Sequence, residues 1–253
     1  MLKCVTLAGG DAKRMLPITG GRFEKTMLRL KGKPIIRIVL DKLVESGIYP
    51  FYITVCVLDR FLDDFKWELR DIQGLTFNSS PKALGTLGHY MKAAKESKFE
   101  DNDDVLVYYG DTITSVNILA MEKVYRKLNS ECMIAVTTNL RHDYSAVDFD
   151  VNYLVTKMEE KPKMEFPSWT GIAILKHGLV QRYINSNRIA ADKMDFAKGL
   201  FPLLLQDLDV HAEDRVKPRF HAYSDDSAIY YDTGNINSYL KLIDMAAEGT
   251  LNV

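Results

Sequence analysis

The chain has 253 residues, a formal net charge of −1 and 47% hydrophobic side chains, enough for one large core or two small ones. A near-neutral balance gives no reason to expect nucleic acid as a partner, and no apolar run reaches the roughly 18 residues of a membrane span. The start reads as a strand rather than a signal peptide. Cys4, Cys56 and Cys132 fit no zinc spacing, so buried thiols in a reducing cytosol are expected.

An apolar strand from Leu2 to Leu7 runs into the paired glycines Gly9-Gly10. Further strand patterns lie at Phe51–Val57, Leu75–Asn78, Val105–Tyr109 and Cys132–Thr138. Helical spacing lies between them at Ile35–Ser46, Arg60–Arg70, Thr86–Glu96 and Ile118–Leu128. Near-continuous apolar strands alternating with helices predict an α/β, Rossmann-like fold: a mostly parallel sheet covered on both faces. Ligands of such sheets bind beyond the carboxyl ends of the strands, where Gly9-Gly10, Gly85-Thr86 and Gly110-Asp111 all fall. After residue 140 the pattern changes. Val147–Phe149, Tyr153–Met158 and Ser168–Leu175 read as antiparallel strands, and His177–Asn185 and Asp195–Leu205 as helices. Phe220–Tyr223 and Ala228–Tyr231 read as a strand pair, and Asn237–Glu248 as a closing helix.

The loop after the first strand carries the most chemistry. Glycines let backbone N–H groups approach a ligand, and successive N–H groups form an anion-binding concavity. Arg14 and Lys25 add positive charge, so the expected guest is a triphosphate. The loop is neither a Walker loop nor G-x-G-x-x-G, because Ala12 and Arg14 break that spacing; a plain tight turn is the alternative. Asp111 and Asp232 stand at two strand ends, where a carboxylate is either a cap or turn residue or a ligand. Glu159–Lys163 by itself is a solvated charged turn. Thr86 is a helix start, Tyr109 a core residue and His89 a structural one.

These motifs resemble the sugar-1-phosphate nucleotidylyltransferases. The matching residues are Leu7, Ala8, Gly9, Gly10, Arg14, Pro17, Thr19, Lys25 and Gly32-Lys33-Pro34. Leu84-Gly85-Thr86, Gly110-Asp111, Glu160-Lys161-Pro162, Gly171-Ile172 and Tyr231-Asp232-Thr233-Gly234 then follow in family order. The resemblance implies the nucleotide-diphospho-sugar transferase fold, with an antiparallel sugar-binding extension. Residues 1–250 would form one domain, with 1–140 binding nucleotide and 141–250 sugar phosphate, and without a C-terminal β-helix. It also implies transfer of a nucleoside monophosphate from a nucleoside triphosphate to a sugar 1-phosphate. Arg14 and Lys25 would be catalytic, and Asp111 and Asp232 would hold Mg²⁺. Leu7, Ala8, Gly9, Gly10, Gly85 and Thr86 would bind the nucleotide, with Ser80 or Lys82 near the base. Ser145, Glu160, Lys161 and Gly171 would bind the sugar phosphate.

GTP with mannose 1-phosphate is the favoured pair, and UTP or dTTP with glucose 1-phosphate the alternative. A non-catalytic nucleotide-sugar-binding regulatory subunit and a choline-phosphate or glycerol-phosphate cytidylyltransferase-like activity stay open, as does homo-oligomerisation. The chain departs from the family pattern at Ala12, Lys13, Glu24 and Tyr144-Ser145. If position 12 needs positive φ, Ala costs on the order of 1 kcal/mol there.

Overall fold

A computed structural model describes residues 2–47, 52–140, 145–160, 162, 166–209 and 217–251. In chain order the first half contains β1 (Leu2–Leu7), α1 (Leu16–Thr19), β2 (Arg29–Leu30), β3 (Lys33–Pro34) and α2 (Ile35–Glu45). It continues with β4 (Ile53–Leu58), α3 (Leu62–Glu68), β5 (Leu75–Ser80), α4 (Thr86–Glu96), β6 (Asp104–Tyr109), β7 (Thr112–Thr114), α5 (Ile118–Lys127) and β8 (Cys132–Thr137). The second half contains β9 (Ala146–Phe149), β10 (Val155–Glu159), β11 (Ser168–Lys176), α6 (His177–Asn185), α7 (Phe201–Asp209), β12 (Phe220–Ser224), β13 (Tyr230–Asp232) and α8 (Ile236–Ala247).

Seven strands form one sheet in the order β12-β8-β11-β6-β1-β4-β5. Only β11 runs antiparallel to its neighbours β6 and β8, so the expected mostly parallel sheet is observed. Strand alternation divides its two faces. Cys4, Val55, Leu106 and Tyr108 pack with Leu40, Phe65 and Met121 on one side. Val5, Cys56, Val107 and Leu175 pack with Leu87, Tyr90, Leu179 and Leu200 on the other. A third cluster, including Met15, Leu28, Ile35, Tyr239 and Leu242, binds α8 to the start of the chain. The three thiols are buried small hydrophobes, and burial pushes Cys4 up to about 12. Among the described residues no helix is long and apolar enough to cross a membrane.

The second half bears out one sequence-based expectation and departs from two. Ser168–Lys176 is an antiparallel strand as expected, inserted between β6 and β8, where its unbroken apolar run from Ile172 to Leu175 is covered on both faces. β12 and β13 do not pair with each other: β12 lies parallel to β8 and β13 antiparallel to β7. Asp225 stands at the turn that follows β12, its N–H donating to Val136 O (3.0 Å) and its carbonyl accepting from Ala228 N (3.0 Å). The predicted helix 195–205 begins with a π turn, Phe196–Leu200, before α7. The first-half elements differ from expectation by a residue or two at their ends, except that Arg60–Arg70 opens with a 3₁₀ turn, Asp59–Phe61, and its α-helix ends at Glu68. Phe51 lies outside the described residues.

Candidate active site

A cleft of about 540 Å³ opens at the carboxyl ends of β1 and β6. Its floor is Leu7–Asp11, and the two glycines there serve different ends. A Cβ on Gly9 would sit 2.4 Å from the His89 ring, whereas one on Gly10 would meet nothing within 4 Å. Gly9 thus lets α4 pack under the loop, and Gly10 leaves its backbone open to a ligand. His89 Nε2 lies 2.8 Å from the Gly9 carbonyl oxygen. The Leu84 N–H also faces Nε2, at 3.3 Å, so one ring nitrogen touches the backbone on both sides of the cleft floor. Burial lowers the pKa of His89, and the ring is a neutral clamp on the loop.

Ala12 follows at φ 50°, ψ 29°, the left-handed region that costs a non-glycine residue free energy. The strained turn leads into a 3₁₀ helix, Lys13–Met15, whose fully buried Met15 anchors the exposed Arg14 beside the cleft. Arg14, Asp111 and Asp232 converge around Gly234. The position of a Gly234 Cβ is 2.8 Å from Asp232 Oδ1, 3.2 Å from Arg14 Nη2 and 3.4 Å from Asp111 Oδ2. Asp232 Oδ1 accepts from Gly234 N (2.7 Å), and Thr233 N and Oγ1 both donate to Asp111 O (3.0 and 2.8 Å). These bonds, with the Asp232–Thr112 register of β13 on β7, hold two carboxylates from distant segments together.

Lys25 donates to Asp111 Oδ2 in a largely buried ion pair. Burial pulls its pKa down, but the Asp111 carboxylate outweighs this, and the net shift is upward. Glu24, next to it, is 1% exposed. Its Oε2 accepts from Thr26 N and Oγ1, both at 2.5 Å, while Oε1 is buried without a partner among the described residues. Burial raises this carboxyl to about 7, against the opposing pull of Thr26 and Lys25.

The opposite wall is a clasp between the two halves of the chain. Gly85 sits at φ 76°, and a Cβ there would lie 2.1 Å from Met194 O. That carbonyl instead accepts from Leu87 N (3.2 Å) and Gly88 N (3.4 Å), capping α4. The Thr86 hydroxyl donates to Asp195 Oδ2 (2.8 Å) and accepts from Phe196 N (3.0 Å). Asp195 Oδ1 caps the π turn through Ala197 N (2.9 Å) and Lys198 N (3.2 Å). Gly85 and Thr86 line the cleft, yet the absent side chain and the hydroxyl are used by the protein itself. Tyr109, expected in the core, is half-buried at the cleft wall, edge-on to Trp169 at 5.1 Å. Gly171, at φ 77°, makes room for Tyr109 and Thr112.

Of the expected site residues, Leu7, Ala8, Gly9, Gly10, Arg14, Lys25, Gly85, Thr86, Asp111, Gly171 and Asp232 all line this cleft. Ser145 and Glu160 flank the β9–β10 hairpin, are exposed and are not among its lining residues. Ser80 is buried and donates to Lys82 O (2.8 Å), and neither residue reaches the lining. Lys161 and Tyr144 lie outside the described residues. Asp195, Trp169 and Tyr230 line the cleft without having been singled out from sequence. Asp195 alone had a local signal, an aspartate opening a helix, which says nothing of Thr86. Among the described residues no three acidic, histidine or cysteine side chains gather as a metal cluster; Asp111 and Asp232 remain a pair.

Residues 3–249 match the nucleotidyl transferase family, and the chain belongs to that family. A Sulfolobus acidocaldarius protein provisionally named mannose-1-phosphate guanyltransferase is 26% identical over 211 residues, covering 81% of this chain and 55% of its own. A glucose-1-phosphate adenylyltransferase of Cutibacterium acnes is 22% identical over 260 residues, covering 93% of this chain and 64% of its own. The chain thus spans somewhat over half the length of these relatives. A solved structure provisionally named glucose-1-phosphate thymidylyltransferase, from Bacillus anthracis, superposes with a TM-score of 0.70 at 20% identity, covering 100% of this chain and 97% of the other. HddC from Yersinia pseudotuberculosis superposes at 0.65 and 22% identity, covering 96% and 99%. Both share the fold.

Proposed function

We propose that this chain transfers a nucleoside monophosphate from a nucleoside triphosphate to a sugar 1-phosphate, releasing pyrophosphate and a nucleotide-sugar. The carrying observation is the convergence of Arg14, Lys25, Asp111 and Asp232 at one end of a cleft floored by Gly9 and Gly10. An oxygen of the sugar phosphate attacks the α-phosphorus. A new O–P bond forms, and the bond from the α-phosphorus to the pyrophosphate oxygen breaks. The nucleophile is already ionised, so positioning and charge neutralisation carry the rate rather than a strong base.

In this reading the exposed Arg14 guanidinium takes the leaving pyrophosphate, and the open backbone at Gly10 takes the triphosphate. Leu7, Ala8, Gly85 and Thr86 shape the nucleotide side. Lys25 meets the α-phosphate. Gly171, Ser145, Glu160 and Lys161 serve the sugar phosphate. Asp111 and Asp232 suit Mg²⁺, which commonly takes one or two carboxylates with phosphate oxygens and water. Bound there, the ion would supply charge neutralisation at the reacting phosphates. Retention of Arg14, Lys25, Asp111, Lys161 and Asp232 weighs against a purely regulatory subunit.

GTP and mannose 1-phosphate are the first pair to test, supported by Leu84-Gly85-Thr86 and by the name of the Sulfolobus relative. Glucose 1-phosphate with UTP or dTTP is the alternative. Purified protein is incubated with Mg²⁺, each nucleoside triphosphate and a panel of sugar 1-phosphates, and pyrophosphate release is followed. Release that needs one triphosphate and one sugar phosphate together is expected. Release from no pair sinks the catalytic reading.

A further inference from the structure

Lys25 enters the cleft from a segment whose neighbours on both sides are sealed inside the protein. Glu24 is 1% exposed and Thr26 0%, and the side chain between them reaches out to Asp111. Glu24 and Thr26 are also joined across it. The Glu24 carboxyl accepts from Thr26 N and from Thr26 Oγ1, as an aspartate does in an Asx turn. The bond to Thr26 N closes a ring that runs through the Lys25 backbone. The main chain tightens the same turn: Met27 N donates to Glu24 O (2.9 Å) and Leu28 N to Lys25 O (3.1 Å). Leu28 then anchors the segment in the cluster that holds Met15 and Ile35. Thr26 offers two buried donors, and both need an acceptor. Glu24 Oε2 takes both, while Oε1 has no partner among the described residues. Burial raises this carboxyl, so the fold carries the grip at some cost to its own stability.

We propose that Glu24 is a positioning residue for Lys25: with Thr26 it fixes the point from which the ammonium reaches Asp111 and, in the reaction proposed above, the α-phosphate. What Lys25 does there rests on that reading of the cleft; how it is held rests on the geometry alone. Lysine is a point charge on a flexible four-carbon stem, and ordering such a side chain costs conformational entropy. A backbone pinned on both sides of its Cα leaves only the stem to be ordered. Placement matters at a reacting phosphate, where a displacement of about 1 Å can cost roughly a hundredfold in rate. The Glu24 charge beside Lys25 also favours the ammonium form.

The test compares Lys25→Met, the pair E24M/T26V, and all three changes together. E24M/T26V replaces both partners of the grip by apolar side chains of similar size, which a buried pair tolerates, and circular dichroism checks the fold. Two readouts are followed: turnover by pyrophosphate release, and calorimetric affinity for inorganic tripolyphosphate, which needs no turnover. E24M/T26V is expected to lower turnover about a hundredfold and tripolyphosphate affinity about tenfold, the scale of one weakened charged contact. On top of Lys25→Met the same pair is expected to add less than about twofold, because Glu24 acts through the lysine. Thr26→Val alone, which removes one of the two bonds, is expected to show a smaller loss of the same pattern. Glu24→Gln, whose amide oxygen still accepts both bonds, is expected to recover most of what E24M/T26V loses. Losses that add to those of Lys25→Met make Glu24 a structural residue and overturn the proposal, as does an E24M/T26V variant equal to wild type. A wild type that turns over no pair, yet binds tripolyphosphate with the non-additive pattern, sinks the proposed reaction and leaves the positioning role standing. A wild type that does neither overturns both.

Discussion

The phosphate end of the cleft and the β9–β10 hairpin use their side chains in opposite ways. At the cleft, hydrogen bonds join Lys25 to Asp111 and Asp111 to Thr233, and separately Asp232 to Gly234; the backbone links the two sets, and Arg14 meets them at Gly234. Polar groups brought together out of water must satisfy one another, so such a site is held in place before any ligand arrives. The hairpin has no such internal closure. Every residue of its two strands is exposed. The difference separates a polar site closed by its own hydrogen bonds from an exposed surface, and the residues proposed for the sugar phosphate, Ser145 and Glu160, sit beside the second.

The largest expected effect lies at the first. Asp111→Asn and Asp232→Asn should each lower turnover about a thousandfold, the scale of a lost charge-stabilising group. Asn leaves Lys25 an acceptor oxygen, whereas Ala at position 111 would strand a buried ammonium at a cost of about 3–5 kcal/mol. Glu160→Gln, on the hairpin side, should raise KM for the sugar phosphate about tenfold and leave that for the triphosphate alone. Initial rates of pyrophosphate release at varied substrate measure both. Asp variants that keep a tenth of wild-type turnover would break the contrast.

A smaller effect should appear in stability. Glu24 is raised from 4.5 to about 7 in the folded chain by burial. Below 4.5 the carboxyl is protonated folded and unfolded alike, and its contribution is fully present. Between there and about 7 the unfolded chain releases the proton first, so stability falls as pH rises, and above about 7 the loss is complete. The ceiling is on the order of 3 kcal/mol. Urea unfolding across this window should show the decline in wild type and a flatter profile in Glu24→Gln. Parallel profiles would mean that Glu24 is solvated in the native state.

The smallest effect belongs to Ala12. Its φ of 50° meets the condition under which a methyl group strains the loop. If binding releases that strain, Ala12→Gly should lower KM for the triphosphate by up to roughly fivefold. Glycine also loosens the free loop, so an unchanged or higher KM would show that the left-handed turn costs nothing that binding relieves.

Local pattern was enough wherever one element's own residues settle the outcome. The apolar runs of β1, β4, β6 and β8 specify buried strands, the helical spacing of α2, α4 and α5 specifies their covers, and Gly9-Gly10 after β1 marks a ligand-facing loop. The order of Arg14, Lys25, Asp111 and Asp232 along the chain pointed to one site. What sequence did not disclose depends on residues far apart meeting. Gly85 serves the carbonyl of Met194, Thr86 serves Asp195, and the antiparallel strand β11 takes β6 and β8 as its neighbours. Side-chain periodicity records which face is buried but not against what. Pairing, register and the sharing of polar groups are decided by the free energy of the whole packed chain, and only the tertiary structure carries that information.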